Sequence, residues 1–329
     1  MSLESPAGDN SASSVPLSTP GRGIIVEQLT KTYKKGKVKA LNGLSLHIDE
    51  GETFGLIGPN GAGKTTFFGC LLAFLQADSG TITIDGMPPD ALDVRKIVGY
   101  LPERLNFDRW MTGFDFLSLH HELALQPSQS RKTDCEELLT LVNLDKLAWK
   151  LPIKRYSRGM LQRLGFAQAL IGKPKYLLLD EPASGVDPAG VILVRNLLKN
   201  LKDKGVTIVL NSHQLDQVEK SCDRVAFIKA GQVDTLENLR TPKVDVSEFI
   251  LRWQPTGETQ ETEALQQIIM AAGAQLIEIV DNSAIISLPQ DAIASTIKAL
   301  ILNGFPIIHA AENENRLERF FKPAKEKDS

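Results

Sequence analysis

Cysteine is nearly absent from this chain: only Cys70, Cys135 and Cys222 occur in 329 residues. Three scattered thiols cannot build a disulfide framework, and their spacing fits no metal-binding pattern. They are expected to be reduced packing or surface thiols. Long apolar runs are missing as well. No stretch approaches the roughly 20 residues needed to cross a bilayer, and the N-terminus has neither the basic nor the apolar region of a secretory signal. The expectation is a cytosolic protein. Excess charge of one sign is also lacking, with a net charge of −3. No nucleic-acid partner is expected.

What is present divides the chain into three parts. Residues 1–23 are Ser-, Pro-, Gly- and Ala-rich and read as a flexible tail, because they hold too little apolar surface to offset ordering. Residues 24–240 alternate apolar strands with helical stretches. IIVEQL (24–29), LSLHI (44–48) and TFGLIG (53–58) are expected strands, followed by a helix from Lys64 and strands TITID (81–85) and IVGYL (97–101). Residues 112–150 read as a helical insert. A helix from about Gly159 carries Leu161, Leu164, Ala167, Leu170 and Ile171 on one stripe. YLLLD (176–180) has the continuous apolar pattern of a central parallel strand. A helix after Pro188 and a strand VTIVL (206–210) complete an α/β alternation that implies a mostly parallel sheet.

Residues 241–329 change character. SEFILRW, ETEALQQIIMAAGAQLIEIV, SAIISL and PQDAIASTIKALILNGFPIIHAAE read as β-α-β-β-α-β, a small ferredoxin-like α+β domain. NRLERFF (315–321) is expected to be a short helix and KPAKEKDS a solvated tail.

Chemistry concentrates in two places. Gly58-Pro59-Asn60-Gly61-Ala62-Gly63-Lys64-Thr65, with Thr66 after it, is a complete P-loop between strand and helix. Its glycines turn backbone N–H groups onto phosphate oxygens. Lys64 is expected to reach the β- and γ-phosphates and Thr65 to ligate Mg²⁺. Asp180 and Glu181 end the apolar strand, where a P-loop enzyme keeps a magnesium-binding acid. The pair allows a division of labour: Asp180 on the metal, Glu181 polarising the attacking water.

These motifs resemble those of the ATP-binding subunit of an ABC transporter, over about residues 24–235. Ser157-Arg158-Gly159-Met160-Leu161-Gln162 occupies the position of that family's LSGGQ signature, Ser184-Gly185-Val186-Asp187 resembles its D-loop, and Ser212-His213 its switch histidine. The resemblance implies that Tyr33 stacks on adenine, that His213 assists hydrolysis, and that Ser157 and Gly159 meet the γ-phosphate of ATP held by a second copy. It implies ATP and Mg²⁺ as cofactors, an ATP-linked homodimer, and a separately encoded membrane-spanning permease on whose inner face the chain sits. Arg158 and Met160 depart from the usual signature, and this variant resembles exporter cassettes. Glu103, in GYLPER (99–104), stands where the family has its Q-loop glutamine. The aromatics of FDRWMTGFDFL (107–117) lie on the segment that in this family faces the permease. Two readings of them remain open: a groove for the partner, or packing within the helical insert.

The implied fold class is therefore a P-loop cassette of mostly parallel sheet, with an antiparallel β part and a helical insert, plus the ferredoxin-like domain. The alternative reading is a soluble ATPase of the same type, with a regulatory C-terminal domain and no role in transport.

Overall fold

The structure is a computed structural model that describes residues 22–33, 36–240, 246–254, 261–312 and 317. Of the expected tail at 1–23, residues 1–21 lie outside this set. So do residues 318–329 and all of NRLERFF except Leu317.

Strands β1 (Ile24–Tyr33) and β2 (Val38–Ile48) form an antiparallel pair, and β3 (Thr53–Ile57) follows. Helix α1 (Lys64–Leu71) leads to β4 (Ser79–Ile84), which pairs with the other edge of β1. Helix α2 (Leu92–Ile97) then precedes β5 (Val98–Leu101). Ile97, expected to open the strand, closes this helix instead. Asp93 in its first turn and Arg95 and Lys96 in its last complement the helix dipole. The insert consists of α3 (Gly113–Leu123), α4 (Arg131–Leu141) and α5 (Lys146–Trp149), and α6 (Arg158–Ala169) returns the chain to the sheet. Leu170 and Ile171 fall in the turn beyond α6. Next come β6 (Tyr176–Asp180), α7 (Pro188–Asp203), β7 (Thr207–Asn211), α8 (Leu215–Ser221), β8 (Arg224–Lys229) and β9 (Gln232–Asn238).

The main sheet runs β5-β6-β7-β3-β8-β9, parallel except for the β8–β9 pair. Its strands are apolar on both faces, so alternate residues feed two cores. Leu177, Leu179, Ile208 and Leu210 enter one core, with helices α6 and α7. Tyr176, Leu178, Val209, Phe54 and Leu56 enter the other, with α1 and the β1–β2 pair. Each such side chain contributes about 1.5–3 kcal/mol of burial. All three cysteines are buried and free, as expected of packing thiols.

Residues beyond 245 add β10 (Val246–Trp253), α9 (Glu261–Ala271), β11 (Gln275–Val280), β12 (Ser283–Pro289), α10 (Ile293–Leu302) and β13 (Ile307–Glu312). The sheet order β11-β12-β10-β13, all antiparallel, is the ferredoxin-like arrangement read from the sequence. Its core of Phe249, Leu251, Leu265, Ile269, Ile286 and Leu300 is its own. Leu317, buried at 1% exposure, joins the α6–α7 core instead.

In the aromatic segment 107–117, which runs into α3, packing within the insert accounts for every aromatic but one. Phe116 is buried and meets Phe107 edge-on at 5.0 Å, while Met111 and Phe114 pack on the same core. Trp110 alone stays out, 77% exposed, with Lys154 Nζ 4.1 Å above its ring.

One buried charge ties together the starts of the interior strands β3 and β8. Asp223, 5% exposed, accepts from the Thr53 N–H at 2.8 Å and from Lys202, and pairs with Arg240 Nε at 2.6 Å. Burial alone would raise this carboxyl, but the bonds from Arg240, Lys202 and Thr53 outweigh it and hold it below its ordinary value. A depressed carboxyl stabilises the fold fully above its unfolded pKa and loses that contribution as pH falls through the folded one. Asp223→Asn should therefore cost about 2–3 kcal/mol at pH 7. The deficit should shrink in melts run in strong acid; a deficit independent of pH would contradict this.

Candidate functional site

Sheet order decides which loops meet. The strand β7 lies between β6 and β3, so the carboxyl ends of β6, β7 and β3 are neighbours, where ligands of open α/β sheets bind. β3 runs directly into the P-loop. Gly58 is buried at φ 152°, and a Cβ there would lie 2.2 Å from the Ile228 carbonyl oxygen. Gly63, at φ 108°, caps α1, and its Cβ would lie 2.3 Å from Ala40 O. No side chain but hydrogen fits either position. Pro59, Asn60 and Gly61 are exposed, Ala62 is buried, and Thr65 is exposed with Thr66 half-buried beside it on α1.

Lys64 folds back on the loop, donating from Nζ to Gly58 O at 2.7 Å and Pro59 O at 3.1 Å. Burial lowers its pKa, against the opposing charges of Glu181 and Asp180. Asp180, 5% exposed, accepts from Asn211 Nδ2 at 2.5 Å across the β6–β7 pair. Burial raises its pKa, and the charges of Glu103 and Glu181 add to the effect, against Asn211 and Lys64. Lys64, Glu181 and Glu103 thus each lie within electrostatic reach of Asp180, and Glu181 also of Lys64.

Glu181 has φ 51°, a left-handed conformation that costs a non-glycine residue about 1–3 kcal/mol. Its N–H donates to Asn211 O at 2.8 Å, which holds the turn. The turn aims its carboxylate at the next loop: Oε1 accepts from the His213 N–H at 3.0 Å and lies 2.8 Å from His213 Nδ1. His213 is otherwise exposed, its side chain at 64%.

The remaining candidates lie elsewhere. Tyr33 is 37% exposed at the end of β1, opposite Val38, on the same pair whose Ala40 backs Gly63. Ser157 is exposed and caps α6, its Oγ accepting from the Met160 N–H at 3.2 Å. A Cβ on Gly159 would meet nothing within 4 Å. Asp187 caps α7 through the Gly190 N–H at 2.7 Å. Neither Ser157 nor Gly159 has a hydrogen bond to the P-loop, Asp180, Glu181 or His213. Sequence reasoning missed Asn211, whose place at the end of a buried strand just before Ser212-His213 was the available signal.

The chemistry of the donor set accommodates a nucleotide with a divalent cation. Two carboxylates beside one lysine, with Glu103 near Asp180, would repel bare phosphates, and a cation between them removes that repulsion. Asn211 Oδ1, on the amide whose Nδ2 is bonded to Asp180, is buried without a hydrogen-bond partner. Among the described residues no group of three or more His, Cys, Asp or Glu could hold a metal alone. A cation here would take the rest of its ligands from phosphate and water, as Mg²⁺ commonly does.

The ABC transporter family profile matches residues 41–184. The uncharacterized ABC transporter ATP-binding protein all4389 of Nostoc sp. is 43% identical over 216 residues, 64% of each chain. The chain thus spans under two thirds of that relative's length. YcbN of Bacillus subtilis, another uncharacterized ABC transporter ATP-binding protein, is 32% identical over 89% of this chain and 94% of its own. The methionine import ATP-binding protein MetN of Bordetella avium is 35% identical over 76% and 73%. Among solved structures, the dimeric ATP-binding cassette MJ0796 bound to ADP and Pi superposes with a TM-score of 0.61 at 26% identity, covering 67% of this chain and all of that one.

Proposed function

Because the chain belongs to the ATP-binding proteins of ABC transporters, we propose that it closes around ATP as a pair of copies and hydrolyses it to drive a separately encoded membrane partner. One observation carries this reading. The P-loop, Asp180, Glu181 and His213 converge, while Ser157 is exposed, Gly159 has open space where a Cβ would go, and neither is bonded to them. A helix start with an open glycine and a free hydroxyl hydrogen suits a phosphate supplied by another molecule.

In this reading, residues 24–240 are the ATP-binding cassette and 241–329 an accessory domain. Tyr33 stacks on the adenine. The P-loop N–H groups from Gly58 to Thr66 cradle the phosphates, and Lys64 swings from its carbonyl partners to the β- and γ-phosphates. Thr65 and Asp180 hold Mg²⁺, which when bound neutralises charge on the phosphates; Glu103 lies at the rim of the same site. Glu181 orients a water and takes its proton as the water oxygen attacks the γ-phosphorus and the bond to ADP breaks. His213 holds the Glu181 carboxylate in place. Ser157 and Gly159 of the second copy donate to the γ-phosphate, with Asp187 fixing the adjoining loop. ATP thereby favours the closed pair and hydrolysis reopens it, a cycle of differential affinity.

No helix among the described residues is long and apolar enough to cross a membrane, so transport would need a partner. Trp110 is the proposed contact: an exposed aromatic held by Lys154 and surrounded by core-packed neighbours. In a complex with its membrane partner, Trp110→Ala should weaken association by about tenfold or more. Unchanged association would remove Trp110 from the interface. Export is the proposed direction, supported by the Ser157-Arg158-Gly159-Met160 variant; the likeness to a methionine import protein argues the other way. Sidedness of ATP-driven transport in inverted vesicles of the assembled complex decides between them.

A further inference from the structure

Arg158 stands where the family signature has a glycine, and the hydrolytic scheme above does not use it. It opens α6, one residue after Ser157 and one before Gly159. Its guanidinium lies against the loop that follows Glu181 in the same protomer. Nη2 donates to Ser184 Oγ at 3.4 Å. A Cβ at Gly185 would lie 2.0 Å from Arg158 Cζ, so the planar group fills the space that any side chain there would need. Gly185 has φ 65°, a left-handed conformation that favours glycine.

Helix α6 grips the same loop a second time. Gln162, 7% exposed, donates from Nε2 to Pro182 O at 2.7 Å. At its far end the loop is fixed by Asp187, which caps α7. The segment 182–187 is therefore tied at its start, middle and end, and the middle tie is Arg158. On one side of that tie are the two residues proposed to meet ATP across the dimer. On the other, three residues upstream of Ser184, is Glu181.

We propose that Arg158 is a positioning residue that couples the signature helix to the Glu181 loop within one protomer. Contact of Ser157 and Gly159 with the ATP held by the partner is thereby transmitted to the protomer's own hydrolytic carboxylate. The proposal rests on the two-copy reading above. It makes the two ATP sites of the pair cooperative, because each protomer's signature reports on one site while its Glu181 serves the other. A planar guanidinium suits the role: it is flat enough to fill the space beside Gly185 while donating at its edge, which an ammonium cannot do.

The test is steady-state ATPase of the full-length chain against ATP concentration. The wild type should show a Hill coefficient clearly above 1, with 2 as the limit for two sites. Arg158→Ala should bring it to about 1 and lower kcat about tenfold, with little change in the half-saturating ATP. Arg158→Lys should recover little of either. Gly185→Ala should reproduce Arg158→Ala, because its Cβ displaces the guanidinium. Adding Gly185→Ala to Arg158→Ala should then cost little more, because both remove the same contact; the loss of cooperativity at unchanged half-saturating ATP is the readout that a merely structural contact would not move.

Unchanged kcat and cooperativity in Arg158→Ala, a wild-type Hill coefficient of 1, or additive effects in the double variant would each overturn the proposal. So would loss of the ATP-induced pair on adding Arg158→Ala to Glu181→Gln, since Arg158 would then act on nucleotide binding. Failure of Glu181→Gln alone to pair would overturn the two-copy reading instead, which keeps the two failures distinct.

Discussion

Glu181→Gln should lower kcat by about 10²–10⁴-fold while leaving ATP affinity within a factor of a few. The substitution keeps shape and backbone and removes only the charge. The left-handed turn at φ 51° is held by main-chain bonds to Asn211 and Ser184, which do not involve the side chain. The amide oxygen can still accept the His213 N–H, now 3.0 Å from Oε1. What disappears is a group able to receive the proton of the attacking water. Nucleotide affinity rests on the P-loop, so binding should survive and the closed state should accumulate. Single-turnover and steady-state ATPase assays with a parallel nucleotide titration measure both quantities. A variant keeping more than a tenth of the wild-type rate would remove Glu181 from the role.

Gly159→Asp should be as severe in turnover and nearly silent in folding. A Cβ at this position has open space around it, so nothing must move to admit the side chain. Its place in the first turn of α6 even favours a carboxylate through the helix dipole, by about 0.3–1 kcal/mol. The melting temperature should therefore hold or rise slightly. Across the proposed pair, that carboxylate would face the γ-phosphate, where like charges in a partly desolvated gap repel strongly. ATPase should fall by about 100-fold or more, the loss expected when a preorganised donor set on the developing charge is disabled. ATP binding to the single chain should remain. Normal ATPase in a well-folded Gly159→Asp chain would place the signature helix away from the phosphate.

Much of this was legible because the decisive residues are constrained locally. The P-loop glycines sit where a Cβ would strike Ile228 or Ala40, so their pattern is forced by sterics and can be read from the chain alone. YLLLD is buried at every residue because β6 is central, with helices on one face and the β1–β2 pair on the other. Periodicity in the last third was sufficient for the ferredoxin-like strand order. Pairings between distant segments were not legible. Nothing in Asn211 says that it holds Asp180, and nothing in Arg158 says that it lies over Gly185. Nor does the aromatic-rich segment announce that Phe107, Phe114 and Phe116 turn inward while Trp110 does not. Those facts depend on which strand ends and helix faces meet, which tertiary packing decides.

The most direct measurement is the mass in solution of the full-length Glu181→Gln chain, by sedimentation with and without saturating MgATP. Without nucleotide a single chain of 36.1 kDa is expected, and with MgATP twice that mass, returning to one chain when Gly159→Asp is added. A Glu181→Gln protein that binds one ATP per chain yet keeps the mass of one chain, alone and beside its membrane partner, would contradict the account.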